Sequence, residues 1–282
     1  MSTVINLKKR KLVGKKEVIV VISAIILTTL GIKASDNFFN PRDVEETSGG
    51  RCPADMVFVS SDIGGFCIDK YEASAHSDCP NLDPENQRET KTNLNFPECT
   101  PVSVQDRVPW RNISQDQAAL ACAKAGKRLP TNKEWLQAAL GTPDYGLDGD
   151  INDCHTRNNW PQQPGLTGTG INCKSSAGAY DMVGNLWEWV EGAVNDGIYE
   201  DKKLPKSGYV DSMDGGSMPG ITNPNQPNDN YNQDYYWIKE TGLRGIARGG
   251  YWDNGSDAGQ YSVYIVPLPS SIEKGIGFRC AK

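Results

Sequence analysis

Eight cysteines between residues 52 and 280 constrain the fold of this chain more than any other feature. No two of them are separated by only two residues, so the spacing does not indicate a zinc knuckle. Their order favours three short loops and one long link: Cys52–Cys67, Cys79–Cys99, Cys154–Cys173 and Cys122–Cys280. Eight cysteines allow on the order of a hundred connectivities, so the pairing stays open, and free thiols in a reducing cytosol are the alternative.

The N-terminus indicates that the chain is exported. Six Lys or Arg residues between positions 8 and 16 precede a run of 15 apolar or weakly polar residues, Val18 to Ile32. A spanning helix usually needs about 17–25 such residues and a signal-peptide core about 7–15, so both are open. We interpret residues 1–33 as a basic tail with an uncleaved membrane anchor, because flanking lysines can reach the interface and no clear cleavage motif follows. A pilin-like leader cut near Gly14 is a third possibility.

Charge distinguishes the N-terminus from the rest of the chain. Residues 34–50 form a polar linker ending in Gly-Gly, and residues 51–282 are expected to form one exported domain at the cell surface. Beyond position 33 the chain has 22 basic and 34 acidic residues, a net charge of −12. We therefore expect no nucleic-acid partner. An acidic surface suits calcium better, although a soluble surface without a particular partner would have the same charge.

Turn and capping residues predict few regular elements. Two short strands around a turn are expected within residues 56–69. Two helices are expected after the N-caps Ser114 and Thr131, because a Gln or Glu three residues later completes each capping box. We expect loops over residues 74–100 and mostly loops beyond Gly141, where the many Trp and Tyr residues argue against disorder.

The stretch DMVGNLWE, Asp181 to Glu188, places two carboxylates around a Gly-Asn turn. Carboxylates together with free loop carbonyls are what a calcium ion needs. Trp187 and Trp189 flank Glu188, so in a strand the tryptophans face one side and Glu188 the other. On spacing alone, a turn followed by a strand with a surface Glu is the favoured interpretation.

Five motifs occur in order: GFCIDKYEAS, AGKRLPTNKEW, YDMVGNLWEWV, RGGYW and GIGFRC. Together they resemble the formylglycine-generating enzyme (sulfatase-modifying factor) family over nearly the whole exported part. The resemblance implies an α+β, irregular, disulfide-stapled C-type-lectin-like fold with two helices and short antiparallel strands. It supports the Cys122–Cys280 disulfide. It also implies structural calcium, bound by two side chains and two carbonyl oxygens: Asp181, Glu188, Gly184 and Leu186.

The residues that carry the family's oxidase chemistry are missing. The resemblance implies that catalytic members use two cysteines soon after the RGG motif to bind copper and activate oxygen, since soft thiolates suit Cu(I). Here no cysteine lies between Cys173 and Cys280, so we expect neither copper nor catalysis. A sister branch uses an iron site of histidines on another domain, whereas this chain has only His76 and His155.

The segment after Trp252 has instead the composition of a binding surface. Val263 and Ile265 alternate with their neighbours and are expected to face the core. Exposed Tyr mixed with short polar groups is typical of paratopes. We expect a C-terminal face formed by ten residues: Tyr251, Asp253, Asn254, Asp257, Ser262, Tyr264, Val266, Pro267, Ser271 and Glu273. The aromatic segment at residues 228–240 forms a wall of this face or packs elsewhere, and burial of Tyr264 and Val266 under another loop is the alternative.

The C-terminal segment also resembles that of the variable proteins of diversity-generating retroelements. It runs from RGG-x-W through an Asn-rich stretch to IGFRC. In those proteins mutagenesis changes the surface residues of this segment, while the residues of the scaffold stay the same. The resemblance implies a non-catalytic, surface-displayed protein that binds a protein or glycan ligand, although Glu273 and Lys274 do not follow from the Asn codons that such rewriting uses. Two alternatives stay open: an oxidoreductase acting on sulfatase-like proteins through another centre, and a structural part of a pilus or envelope.

Overall fold

The computed structural model describes residues 52–61, 64–157, 160–215 and 217–282. The anchor predicted for residues 1–33 and the linker predicted for residues 34–50 lie outside the described residues. Within the described ranges, no helix has the length and apolar character needed to cross a membrane.

Three α-helices occur in the described part of the chain: Gln87–Asn95 (α1), Gln115–Lys124 (α2) and Asn132–Ala139 (α3). The capping boxes predicted at Ser114 and Thr131 are both formed, so α2 and α3 are confirmed. Helix α1 lies in a segment predicted to be loop. Its N-cap Asn86 accepts the N–H groups of Arg88 and Glu89, but its polar sequence has no apolar periodicity that would indicate a helix.

The strands are short and numerous. In chain order they are Met56–Ser61 (β1), Gly64–Asp69 (β2), Ser74–Ala75 (β3), Pro101–Val102 (β4), Trp187–Asn195 (β5), Ile198–Tyr199 (β6), Lys202–Lys203 (β7), Gly208–Asp214 (β8), Met218–Asn223 (β9), Tyr235–Ile238 (β10), Leu243–Arg248 (β11), Val263–Ile265 (β12) and Ile276–Phe278 (β13). Strands β1 and β2 pair antiparallel, as predicted, and β3 pairs with β4.

The remaining strands form a nine-stranded sheet in the order β7-β6-β5-β11-β12-β10-β8-β9, with β13 also paired to β5. Loops still make up the larger part of the described chain beyond Gly141, as expected, but the sheet itself was not predicted. Strand β5 is nine residues long and pairs antiparallel with β11 and parallel with β13. These partners are distant in sequence, so local turn residues do not reveal the pairing. The fold is α+β, as predicted.

All four predicted disulfides are present: Cys52–Cys67, Cys79–Cys99, Cys122–Cys280 and Cys154–Cys173. The Cys122–Cys280 bond spans 158 residues and ties α2 to the chain end just beyond β13. No cysteine is left free. Small, loop-rich exported domains use such bonds to supplement a limited apolar core.

The twin glycines of the RGG motif are required by the backbone. Gly249 and Gly250 have φ angles of 97° and 86°, a region that residues with a Cβ rarely adopt. A Cβ on Gly250 would lie 2.3 Å from the Cβ of Ala258. The preceding Arg248 is buried, and its guanidinium lies 5.3 Å from the ring centroid of Trp135. The motif therefore fixes the start of the C-terminal face.

Candidate functional site

The DMVGNLWE loop is held by an ion pair inside the protein. Oε1 of Glu188 accepts a hydrogen bond from Nη2 of Arg279 at 2.6 Å, and Oε2 accepts one from Nε of Arg279 at 2.7 Å. The indole N–H of Trp135 donates a third hydrogen bond to Oε2, also at 2.7 Å. Glu188 is 0 % exposed, so the surface position favoured on spacing alone is wrong. A carboxylate can be buried here because Arg279 neutralises it.

Two further carboxyl groups share this buried region. Glu72 and Asp181 each accept a backbone N–H from the surrounding loops. Burial raises the pKa of Glu72 well above its usual range, and the charges of Asp181 and Glu188 add to the effect. Burial likewise raises the pKa of Asp181 to about 7. Arg279 is the cation that attracts all three acids.

Three of the side-chain oxygens predicted to bind calcium already accept hydrogen bonds from protein donors. Both carboxylate oxygens of Glu188 accept hydrogen bonds from Arg279. Oδ2 of Asp181 accepts a hydrogen bond from the N–H of Gly168 at 2.6 Å. Among the residues that the structure describes, no group of three or more His, Cys, Asp or Glu side chains is arranged to hold a metal ion. As folded here, the loop does not fit calcium unless Arg279 moves away. The sequence-based prediction of calcium at Asp181, Gly184, Leu186 and Glu188 therefore requires Arg279 to leave Glu188, and a stability measurement distinguishes it from the internal ion pair.

We expect calcium to leave the thermal unfolding temperature unchanged. Arg279 already neutralises Glu188, and a ligand stabilises a protein only when it binds the folded form. Calorimetry with excess calcium chloride and with excess EDTA should give the same midpoint, with magnesium chloride as the control for ionic strength. A rise of several degrees with calcium alone would establish the predicted site.

A pocket of about 350 Å³, here called the aromatic pocket, opens beside the C-terminal face. Its lining combines four aromatic rings with polar and apolar groups: Trp187, Trp237, Tyr251, Tyr264, Asn254, Glu273, Lys274, Gly275 and Ile276. This volume suits a small molecule or a single side chain of a larger partner.

Strand pairing places three of the rings against one another. Strand β12 lies between β10 and β11, with Tyr264 directly opposite Trp237 on β10. Tyr264 stacks on Trp187 with ring centroids 5.3 Å apart, and Trp237 meets Trp187 nearly at right angles at 5.5 Å. Such contacts fix the rings before any ligand arrives. A fourth ring is positioned by Asn254, whose Oδ1 accepts the backbone N–H of Tyr251 at 2.9 Å.

Glu273 gives the aromatic pocket a negative group. Its side chain is half-buried, and burial raises the pKa of its carboxyl. The pKa of Tyr264 is raised by burial and then by the charge of Glu273, so the two groups are close. Lys274 also lines the pocket but is exposed, and Glu273 forms no ion pair within the described part of the chain.

The ten predicted residues of the C-terminal face separate into three groups. Four line the aromatic pocket: Tyr251, Asn254, Tyr264 and Glu273. Four are at least partly exposed outside its lining: Asp253, Asp257, Val266 and Ser271. Two are buried, so their assignment to the face is wrong: Ser262 and Pro267.

The two errors arise at the ends of β12. The hydroxyl of Ser262 donates to the carbonyl of Asp257 at 2.6 Å, and the carbonyl of Pro267 accepts the N–H of Gly245 at 2.9 Å. These bonds close the turns on either side of the strand. Burial alternates from Val263 to Pro267, with Val263 and Ile265 buried as predicted, and the alternation fails at Ser262.

Trp187 belongs to the DMVGNLWE stretch, and the sequence predicted for it only a place beside Trp189 on one side of a strand. Its place in the aromatic pocket depends on β5 and β12 both pairing with β11, which no local pattern shows. Trp237 lies in the aromatic segment that was expected to line the face or pack elsewhere, and it lines the pocket. Its neighbour Tyr236 points into the core and is 0 % exposed.

A pair of carboxyl groups, Asp144 and Asp234, lies next to the chain just before β12. Asp144 and Asp234 are close enough for their charges to interact, and one buried oxygen of each has no hydrogen-bond partner among the described residues. Because two carboxylates are both acceptors, only a bound proton could join these two oxygens. Oδ2 of Asp234 also accepts the N–H of Tyr261 at 2.6 Å. Burial raises the pKa of Asp144 to about 6, and burial together with the charge of Asp144 raises the pKa of Asp234 well above its usual range.

We expect replacement of Asp144 by Asn to stabilise the protein more at pH 7.5 than at pH 4.5. In the unfolded chain an Asp titrates near pH ~3.9, so between about 4 and 6 the folded protein binds a proton that the unfolded chain has released. The stability of the natural protein therefore falls as pH rises through this range, and Asn cannot ionise. Urea unfolding at both pH values measures the difference.

The exposed Asp148, replaced by Asn, is the matched control for this pH effect. It should change stability equally at the two pH values. An equal effect of the Asp144 replacement at both pH values would contradict a shared proton at Asp144 and Asp234.

Comparison with known proteins relates most of the chain to one family. The sulfatase-modifying factor enzyme 1-like domain matches residues 45–282. The inactive C-alpha-formylglycine-generating enzyme 2 of Bos taurus is 30% identical over 125 residues, 38% of this chain and 40% of the relative. The formylglycine-generating enzyme of Thermomonospora curvata is 33% identical over 111 residues, 33% of this chain and 37% of the relative. The matched regions thus span about two fifths of these relatives.

Among solved structures, the Major Tropism Determinant I1 variant is similar with a TM-score of 0.44 and 18% identity, over 82% of this chain and 52% of that protein. The family match itself takes in every described residue, including the DMVGNLWE loop, the RGG and GFRC motifs and the aromatic pocket. The chain therefore belongs to the family of the sulfatase-modifying factor enzyme 1-like domain.

Proposed function

We propose that this protein is a non-catalytic ligand-binding protein whose C-terminal face binds a protein or glycan partner through the aromatic pocket. One observation carries the proposal. Rings fixed by the sheet surround an open pocket, and two of its four rings, Tyr251 and Tyr264, lie between the RGG and GFRC motifs. Rigid aromatic groups with adaptable polar neighbours bind partners at low entropic cost.

The disulfides support a non-catalytic role. All eight cysteines are paired, so none supplies a thiolate for copper in this state. One curated relative is named as an inactive enzyme. We further propose that residues 1–33 anchor the protein in a membrane with the domain displayed outside, and that a diversity-generating retroelement rewrites the C-terminal face.

An array of glycans and peptides tests the binding role. The full-length protein should give reproducible signals that the Tyr264→Ala variant loses, because Tyr264 forms a wall of the aromatic pocket. Ile221→Ala is the control, since Ile221 is 58% exposed and lies outside the pocket lining. Signals that persist in Tyr264→Ala, or no signal above background, would overturn the proposal.

An oxidase is the second candidate, because a protein named as a formylglycine-generating enzyme is among the relatives. The protein loaded with copper should consume no more oxygen than protein-free copper when a cysteine-containing peptide is offered. Turnover of the peptide would replace the binding proposal with an enzymatic one.

A further inference from the structure

We propose that the aromatic pocket binds an alkylated ammonium group, such as a quaternary ammonium or a methylated lysine side chain. The inference rests on the proposed binding function and names the chemical class of its ligand. Three properties of the pocket carry it: the orientation of the rings, the position of Glu273 and the lack of further acceptors.

The rings form walls with different orientations. Trp237 is at 87° to Trp187 and at 80° to Tyr264, while Trp187 and Tyr264 are nearly parallel at 21°. Flat sugar rings bind best to a single aromatic platform, whereas a compact cation gains from several ring faces and edges around it. The face of an aromatic ring carries negative charge density that attracts cations, most strongly for Trp.

Glu273 supplies the charge that such a ligand would neutralise. Its carboxyl is half-buried at the pocket wall and has no ion-pair partner within the described residues. Partial burial of a carboxylate costs free energy unless a cation compensates it. The exposed Lys274 does not compensate it, and the segment from Tyr251 to Gly275 has three acidic residues against this one lysine.

The pocket offers few acceptors besides Glu273. Oδ1 of Asn254 is already used by the N–H of Tyr251, Ile276 is apolar, and the only other side-chain acceptors of the lining are the hydroxyls at the ring edges of Tyr251 and Tyr264. A bare ammonium group has three N–H donors that need acceptors, whereas a fully alkylated one has none. The lining therefore favours methyl groups on the nitrogen.

Choline and its neutral analogue 3,3-dimethylbutan-1-ol test the inference. They have the same shape, and only choline has a charged nitrogen. Titration of the full-length protein, followed by tryptophan fluorescence, should show saturable binding of choline with a Kd in the millimolar range, at least about tenfold tighter than the neutral analogue. Equal binding of the two compounds, or no binding of choline, would overturn the inference.

Two variants locate the site. Glu273→Gln should weaken choline binding about tenfold while keeping the shape of the wall, and Trp237→Ala should abolish it. Glu240→Gln and Tyr145→Ala are matched controls outside the pocket lining and should bind choline normally. Normal binding by Glu273→Gln would contradict the inference even if Trp237→Ala fails to fold.

The array separates this inference from the binding function. If uncharged glycans give signals that Tyr264→Ala abolishes and choline does not bind, the ammonium inference fails and the binding function stands. If no array signal depends on Tyr264 but choline binds and Glu273→Gln weakens it, the pocket binds ammonium groups but the proposed protein or glycan partner is wrong.

Discussion

Replacing Cys122 and Cys280 together by alanine is expected to lower the free energy of unfolding by about 5 kcal/mol. The disulfide spans 158 residues, and closing a longer loop removes more conformational entropy from the unfolded chain. Both cysteines are buried in the apolar cluster that contains Trp110 and Phe278, so the variant also loses packing. Urea unfolding under non-reducing conditions measures the effect.

The Cys154–Cys173 disulfide is the matched control. It spans only 19 residues, so the same double replacement should cost about 3 kcal/mol. A larger loss at Cys154–Cys173 than at Cys122–Cys280 would contradict the view that the long link holds the domain closed.

Replacing Arg279 by methionine is expected to cost about 3–5 kcal/mol of stability. Methionine fills part of the volume but leaves the buried carboxylate of Glu188 without its counter-ion, close to Glu72 and Asp181. Removing one partner of a buried ion pair is costly because the other charge stays away from water. Urea unfolding at neutral pH measures the loss.

Arg128→Met is the matched control for this variant. Arg128 also forms an ion pair, with Glu134, but its side chain is 44% exposed, so its loss should cost at most about 1 kcal/mol. Adding Glu188→Gln to Arg279→Met should recover part of the stability, because an amide needs no counter-ion. A loss below about 1 kcal/mol for Arg279→Met would show that another cation neutralises Glu188.

Local features of the fold could be predicted from the sequence because their physical causes are local. The capping boxes at Ser114 and Thr131 satisfy N–H groups three residues away, and the helices follow as expected. Strands β1 and β2, which pair with each other, are adjacent in the chain. The three short disulfides likewise join cysteines that are close in sequence.

Features that depend on distant partners could not be predicted in this way. Spacing suggested a surface position for Glu188, but Arg279, 91 residues later, holds it in the core. Trp187 lines the aromatic pocket only because a distant strand places Tyr264 against it. Ser262 has the outward period but lies one residue before β12 begins, whereas Pro267 lies two residues after Ile265 and is in phase with the buried Val263 and Ile265.

The central claim is that the exposed part of the C-terminal face selects the ligand without holding the fold together. A triple variant, Asp253→Ser, Val266→Ser and Glu273→Ser, tests it because these side chains are at least partly exposed. We predict that its thermal midpoint differs from that of the natural protein by no more than about 4 °C, while its pattern of signals on the glycan and peptide array changes. An unchanged pattern, or a loss of folding, would contradict the claim.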